Sequence, residues 1–204
     1  MWPWEHAIVG YLAYSLFCHL AFRDSPGGLD AFAVVFASVL PDVIDKPLAW
    51  EFGVFDAGHA LGHSVFFAVP LSIVVGTIAH AGASPRTGLA FGVGYLLHLP
   101  ADILYSYVNE GVFYVEIVLW PVATVPAGSL NRGFLESFAL LFGRYLGELL
   151  AGDVSTYVWF QFGLAVFAFL LWVYDGVPVL RELLLGCKRL VLAQIGSDRS
   201  TQRQ

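Results

Sequence analysis

Charge is scarce in this sequence. Aspartate, glutamate, lysine and arginine make up 13% of its 204 residues, whereas hydrophobic types make up 58%. Soluble domains carry about 25% charged residues. The deficit, with a mean hydropathy of +0.71, excludes an ordinary water-solvated surface and points to lipid as the surrounding medium. Lysine is nearly missing, with only Lys46 and Lys188 against eight arginines. The net charge of −6 is thinly spread and leaves no basic face for nucleic acid. Cys18 and Cys187 form no C-x-x-C pair and sit in apolar surroundings, so both read as buried thiols. No basic stretch followed by small residues opens the chain, which argues against a cleavable signal. Histidine is confined to the first half: all six lie between His6 and His98.

Apolar runs supply the architecture. Trp2 and Trp4 read as interfacial anchors ahead of a first run, residues 7–22. A turn at 23–28 leads to a second run, 29–40, that ends at Pro41. The most polar connection of the first half follows, and then runs at 64–79 and 88–108. Residues 111–125 read as a short span or a re-entrant piece. Residues 134–150 carry Glu136, Arg144 and Glu148 among leucines and phenylalanines, a pattern that suits either a span or an amphipathic surface helix. Residues 156–174 are uncharged and form the clearest membrane run, and the basic segment after Asp175 reads as lying along the membrane surface. The expectation is an all-α, polytopic transmembrane helical bundle of about six or seven membrane helices. It forms a single domain over 1–196 with a polar tail at 197–204.

Against that apolar background, one stretch concentrates titratable groups. Asp42 and Asp45 are three residues apart, His59 and His63 four apart, and His98 and Asp102 four apart. On a helix each spacing puts both side chains on one face. Ionisable groups inside spanning segments cost several kcal/mol and mark function by default. Imidazole and carboxylate together suit a divalent ion, zinc first and manganese second. His19 and His80 read as structural, and Glu110 and Glu116 as weaker candidates.

Seven alternating spans place Arg23, Arg86, Arg132, Arg181, Lys188, Arg189, Arg199 and Arg203 on one side, eight of the ten basic residues. The positive-inside rule then puts the C-terminus in the cytoplasm. The same threading brings His6, the 41–62 connection, His63 and His98/Asp102 to the non-cytoplasmic face. Segments spread over nearly a hundred residues so converge on one site.

The residues also carry a family pattern: His6 followed by Gly10, Leu40-Pro41-Asp42-Val43-Ile44-Asp45, His59 with His63-Ser64, Gly94-Tyr95 with His98 and Asp102, then Gly111 and Trp120-Pro121. In these the chain resembles the prokaryotic membrane-bound metal-dependent hydrolases, also described as LexA-binding, inner membrane-associated hydrolases. The likeness covers about residues 1–125. It departs at Ala60, where the family often has an arginine, so an anion contact is not expected from that position. The resemblance implies an inner (cytoplasmic) membrane hydrolase in which His6, Asp42, His59, His63, His98 and Asp102 hold one or two divalent ions. Asp45 would be a supporting or bridging carboxylate, Asp45 or Asp102 the general base, and Ser64 or Tyr95 a partner for the imidazoles. An ester or phosphoester is the implied substrate, and a site at the membrane face suggests a lipid-like one. Two other classes use the same ligands: a metal-ion transporter, and an assembly protein whose metal clips helices together. A transporter is expected to show inverted repeats, and no repeat is visible.

Overall fold

The computed structural model describes residues 1–125, 133–152 and 155–189, and the regular elements among them are all helical. The expected tail at 197–204, and Arg132, Arg199 and Arg203, lie outside the described residues. Helix α1 (Pro3–Phe17) continues through a π-helical segment, Cys18–Phe22. It is followed by α2 (Gly28–Trp50), α3 (Val65–Ala81) and α4 (Pro85–Glu110). A 3-10 turn at Val115–Val118, α5 (Phe134–Ala151) and α6 (Thr156–Tyr174) come next, and residues 180–189 are again helical.

Helix α2 does not end at Pro41. It runs through Pro41 and Pro47 to Trp50, because a proline removes one backbone hydrogen bond and packing along α4 holds the helix on both sides of it. Small residues make that packing possible. A Cβ on Gly94 would stand 2.3 Å from the Val34 carbonyl oxygen, and one on Gly10 would meet Ser38 Oγ. The backbones of α1, α2 and α4 therefore approach closely, as helices do in lipid. The interior is small, aromatic and polar, with Ala37, Ala68, Tyr95 and Val34 fully buried. Large apolar residues such as Leu20, Phe32, Ile73, Phe160 and Leu170 face outward. That arrangement suits a chain whose solvent is hydrocarbon.

The contacts define two ends. Arg86 pairs with Asp24 at 2.9 Å, Thr87 donates to Asp30, and His19 lies 2.7 Å from Asp175. The starts of α2 and α4 and the ends of α1 and α6 therefore share one end, with residues 181–189 following Asp175 there. Tyr157 donates to Glu5 at 2.5 Å and packs on Tyr105, which places the starts of α1 and α6 and the end of α4 at the other.

Helix α5 begins where its Phe134 N–H donates to Glu51, and Tyr145 near its finish reaches Gln161. Both contacts are at the second end. Helix α5 thus lies across that end instead of running the length of the bundle, resting on Trp2 and Trp4 through Phe138, Phe142 and Tyr145. Its Glu136, Arg144 and Glu148 are exposed, as are Leu135, Leu146 and Leu150. Residues 111–125 also stay at this end, with Ile117 and Val118 packed beside Tyr95 and Leu99. Two runs entertained as spans therefore pack at that end of the helices, and the helical segment 180–189 follows Asp175 at the opposite one.

By length and composition, α4 and α6 can each cross a membrane, while α3 is apolar but shorter. Helix α2 carries Asp30, Asp42, Asp45 and Lys46, and α1 gives way to its π-helical segment at Cys18, so neither passes on those grounds alone. Cys18 is buried as expected, but Cys187 is exposed because its helix presents mostly exposed side chains.

Candidate metal centre

Four side chains from three parts of the chain meet near the second end. Asp42 comes from α2, His63 from the turn before α3, and His98 and Asp102 from successive turns of α4. One donor atom from each lies within 4.8 Å of the others, and all four residues are buried. Nε2 of His63 is 3.4 Å from Asp42 Oδ1 and 3.4 Å from Asp102 Oδ2. Nε2 of His98 is 3.3 Å from Asp102 Oδ2.

Local sequence explains the placement. Asp42 and Asp45, three positions apart, share one face of α2, and the first reaches the centre while the second, nearly a turn further on, reaches behind His63. Asp45 accepts the amide N–H groups of Ala60, Gly62 and His63 at 2.7, 2.7 and 3.0 Å, and its Oδ2 lies 2.7 Å from His63 Nδ1. Gly62 lets the turn come this close, since a Cβ there would meet the Pro41 carbonyl oxygen at 2.8 Å. The Tyr95 hydroxyl donates to the Gly62 carbonyl at 2.7 Å. Ser64 caps α3 by accepting from Phe66 N–H, and donates to the Trp120 carbonyl. Ser64 and Tyr95 therefore hold the backbone around His63, and the imidazoles take other partners: Asp45 for His63, and the Ser38 carbonyl for His98 Nδ1 at 2.6 Å.

These partners settle what the rings present. With each Nδ1 hydrogen committed, the neutral rings turn lone pairs toward the centre. The two Nε2 atoms stand 3.1 Å apart, a separation that a shared proton or a metal ion can bridge. Neither oxygen of buried Asp42 has a hydrogen bond, although Lys46 Nζ is ion-paired at 2.7 Å to its Oδ1. Buried carboxylates require a positive partner; Asp42 has Lys46 and Asp102 has the Met1 ammonium at 2.9 Å, and the inward-facing set of two imidazoles and two carboxylates also fits a divalent ion.

The other expected residues surround this core. His6 is buried, stacks on His98 at 3.6 Å between ring centres, and brings Nε2 to 3.2 Å from Asp102 Oδ1. Neither of its ring nitrogens has a hydrogen bond. His59 is at the rim: its side chain is 34% exposed and its Nε2 lies 3.7 Å from Asp102 Oδ2. The 51–64 connection is turns and bends, so His59 and His63 do not share a helix face. Glu110, Glu116 and His80 are exposed and away from the core. His19 pairs with Asp175, which also accepts the Tyr11 and Ser15 hydroxyls, a separate polar cluster at the far end. Lys46 beside Asp42, and Glu5 held by Tyr157 and Gln161, carry no spacing that marks them in sequence. Only the i, i+4 distance from Asp42 to Lys46 hints at the former.

Comparison with known proteins gives one result. The family model described as YdjM inner membrane protein matches residues 1–179. No curated protein and no solved structure matches.

Proposed function

This chain belongs to the YdjM inner membrane protein family, and from that footing we propose that it is a membrane-embedded, metal-dependent hydrolase of esters or phosphoesters. The observation that carries the reading is the convergence of Asp42, His63, His98 and Asp102 on one buried point. Those four residues would hold the ion, with His6 beside them. In a site of this kind a divalent ion would supply Lewis acidity and would lower the pKa of a water from ~16 toward ~7. Zinc is the first choice for this donor set and manganese the second.

The chain's own groups divide the remaining work. Asp45 fixes the His63 ring and is spent on that task, since His63 Nδ1 and three amides occupy its oxygens. It orients and does not act as the general base. Asp102 offers Oδ2 to the centre, while its Oδ1 accepts from the Met1 ammonium at 2.9 Å and lies 3.2 Å from His6 Nε2; it would ligate through Oδ2, and a proton would reach it only as Met1 gives way. His59, on the exposed rim, can pass that proton to water. Arg23, Arg86, Arg181, Lys188 and Arg189 belong to the end opposite the site, so the positive-inside rule puts the site on the non-cytoplasmic face.

The test is a hydrolysis screen of the purified protein on phosphoesters and lipid esters, with and without chelator. Chelator-sensitive turnover that disappears in Asp102→Ala is expected. Metal bound without turnover on any substrate class would instead favour a structural metal clip or a transport site.

A further inference from the structure

Two recesses flank the metal centre, and their chemistry differs. The first, of about 280 Å³, is lined by Asp42, Lys46, Trp50, Tyr105 and Phe138 among others. It therefore contains one metal-ligand candidate and a lysine whose side chain is 18% exposed. Lys46 is the lone lysine among residues 1–187, and it is placed where its ammonium can turn from Asp42 to an incoming anion.

The second recess, of about 440 Å³, lies between α1, α4 and α6, with Glu5, Ala101, Leu104, Val108, Phe160 and Ala165 in its wall. That volume is in the range of small-molecule sites. Glu5 and Ala101 directly neighbour His6 and Asp102 in the chain, and Tyr105 lines both recesses. Most polar groups in its wall are engaged: the Glu5 carboxylate accepts from the Tyr157 hydroxyl, the Gln161 amide and the Trp2 N–H, Tyr145 donates to Gln161, and the Met1 ammonium donates to Asp102. Apart from the Tyr105 hydroxyl at the side shared with the first recess, what remains for an occupant is hydrocarbon. At its outer edge Leu104, Val108 and Phe160 are 57%, 61% and 63% exposed, so the recess opens on the perimeter that faces lipid.

We propose that the substrate of this site is an anionic amphiphile. Its hydrocarbon chain enters the α1–α4–α6 recess from the bilayer, and its phosphate-type head is held at Lys46 beside the metal centre. This rests on the hydrolase reading for the chemistry performed, but binding can be tested without turnover. An apolar wall gives no favourable place to a sugar or a peptide backbone, whereas a single alkyl chain leaves no polar group unpaired there. Lys46 selects the head by charge, and the recess selects the chain by burial.

The experiment uses the full-length protein in nanodiscs and a dodecyl phosphate carrying a photoreactive diazirine at the chain end. Dodecanol with the same label and inorganic phosphate serve as comparisons. Cross-links from the phosphate probe are expected at Leu104, Val108 or Phe160. They should be at least tenfold more frequent there than with the dodecanol probe, which should label outward residues such as Ile73 and Phe169 equally well. Ala165→Phe and Val108→Trp fill the recess by different routes, and each should remove the recess cross-links. Lys46→Met should weaken phosphate-probe binding about tenfold, and Lys46→Arg should restore it. Inorganic phosphate should compete for the head without blocking dodecanol labelling.

Equal labelling by both probes, or cross-links unchanged in the filled and Lys46→Met variants, would overturn the proposal even if soluble phosphoesters are hydrolysed. Recess labelling without hydrolysis of any ester would leave the proposal standing and remove the hydrolase reading.

Discussion

Asp45 Oδ2 lies 2.7 Å from Nδ1 of His63, and both residues are fully buried. The carboxylate also ties down the amides of Ala60, Gly62 and His63, so one side chain fixes the ring and the turn that carries it. Partners of this kind set a ligand's tautomer and orientation, and their loss typically costs 10–100-fold in metal affinity. Asp45→Asn, which keeps the shape and loses the charge, should lower metal affinity by roughly that factor in a chelator competition. Unchanged affinity would show that His63 is not a ligand.

A second prediction concerns a residue that touches no ligand. Gly94 is where α4 meets α2, and a Cβ there would stand 2.3 Å from the Val34 carbonyl oxygen and 3.0 Å from Ser38 Oγ. Ser38 also supplies the carbonyl that holds His98. Gly94→Ala should separate the helices, cost about 1–3 kcal/mol and reduce metal affinity together with thermal stability. Gly143→Ala, with open space around it, should change neither.

The far-end cluster gives the opposite separation. Asp175 is buried and accepts from Tyr11 and Ser15 at 2.6 Å, with His19 at 2.7 Å. Asp175→Ala leaves two buried hydroxyls, Tyr11 and Ser15, and the partly exposed His19 without an acceptor, a loss on the order of 3 kcal/mol. Thermal unfolding should move down markedly while metal content stays at the wild-type level. Metal loss in that variant would mean that the two clusters are coupled through α1.

Much of the centre was legible in the sequence, for a physical reason. Ionised groups are too costly in an apolar chain to be scattered, so Asp42, His63, His98 and Asp102 stood out by type alone, and the i, i+4 rule correctly paired His98 with Asp102. For His59 the same rule had no footing, because residues 51–64 form turns, although its ring still comes within 4.6 Å of the His63 ring and 3.7 Å of Asp102 Oδ2. Pro41 was read as a terminus by local preference, and tertiary packing along α4 overrode it. The position of α5 could not be read at all. A helix with one polar stripe looks the same whether that stripe faces a bundle or water, and only the contacts of Phe134 and Tyr145 decide.

That placement of α5 has a topological consequence. With Cys18 and Cys187 replaced, single cysteines at Glu51, Glu136 and Glu148 should all be labelled by an impermeant reagent from outside the cell. Cysteines at Arg86 and Arg181 should be labelled only after permeabilisation. Opposite accessibility at Glu136 and Glu148 would make α5 a crossing helix, and labelling at Arg86 alone would invert the orientation.

The central claim is that the chain holds a metal ion between Asp42, His63, His98 and Asp102. The most direct measurement is the metal content of purified protein by elemental mass spectrometry, with helicity followed by circular dichroism. About one divalent ion per chain is expected in the wild type and in His19→Ala and His80→Ala, with little or none in His98→Ala and Asp102→Ala at unchanged helicity. Wild-type protein free of metal after reconstitution with zinc and manganese would contradict the account, as would equal metal in all of these variants.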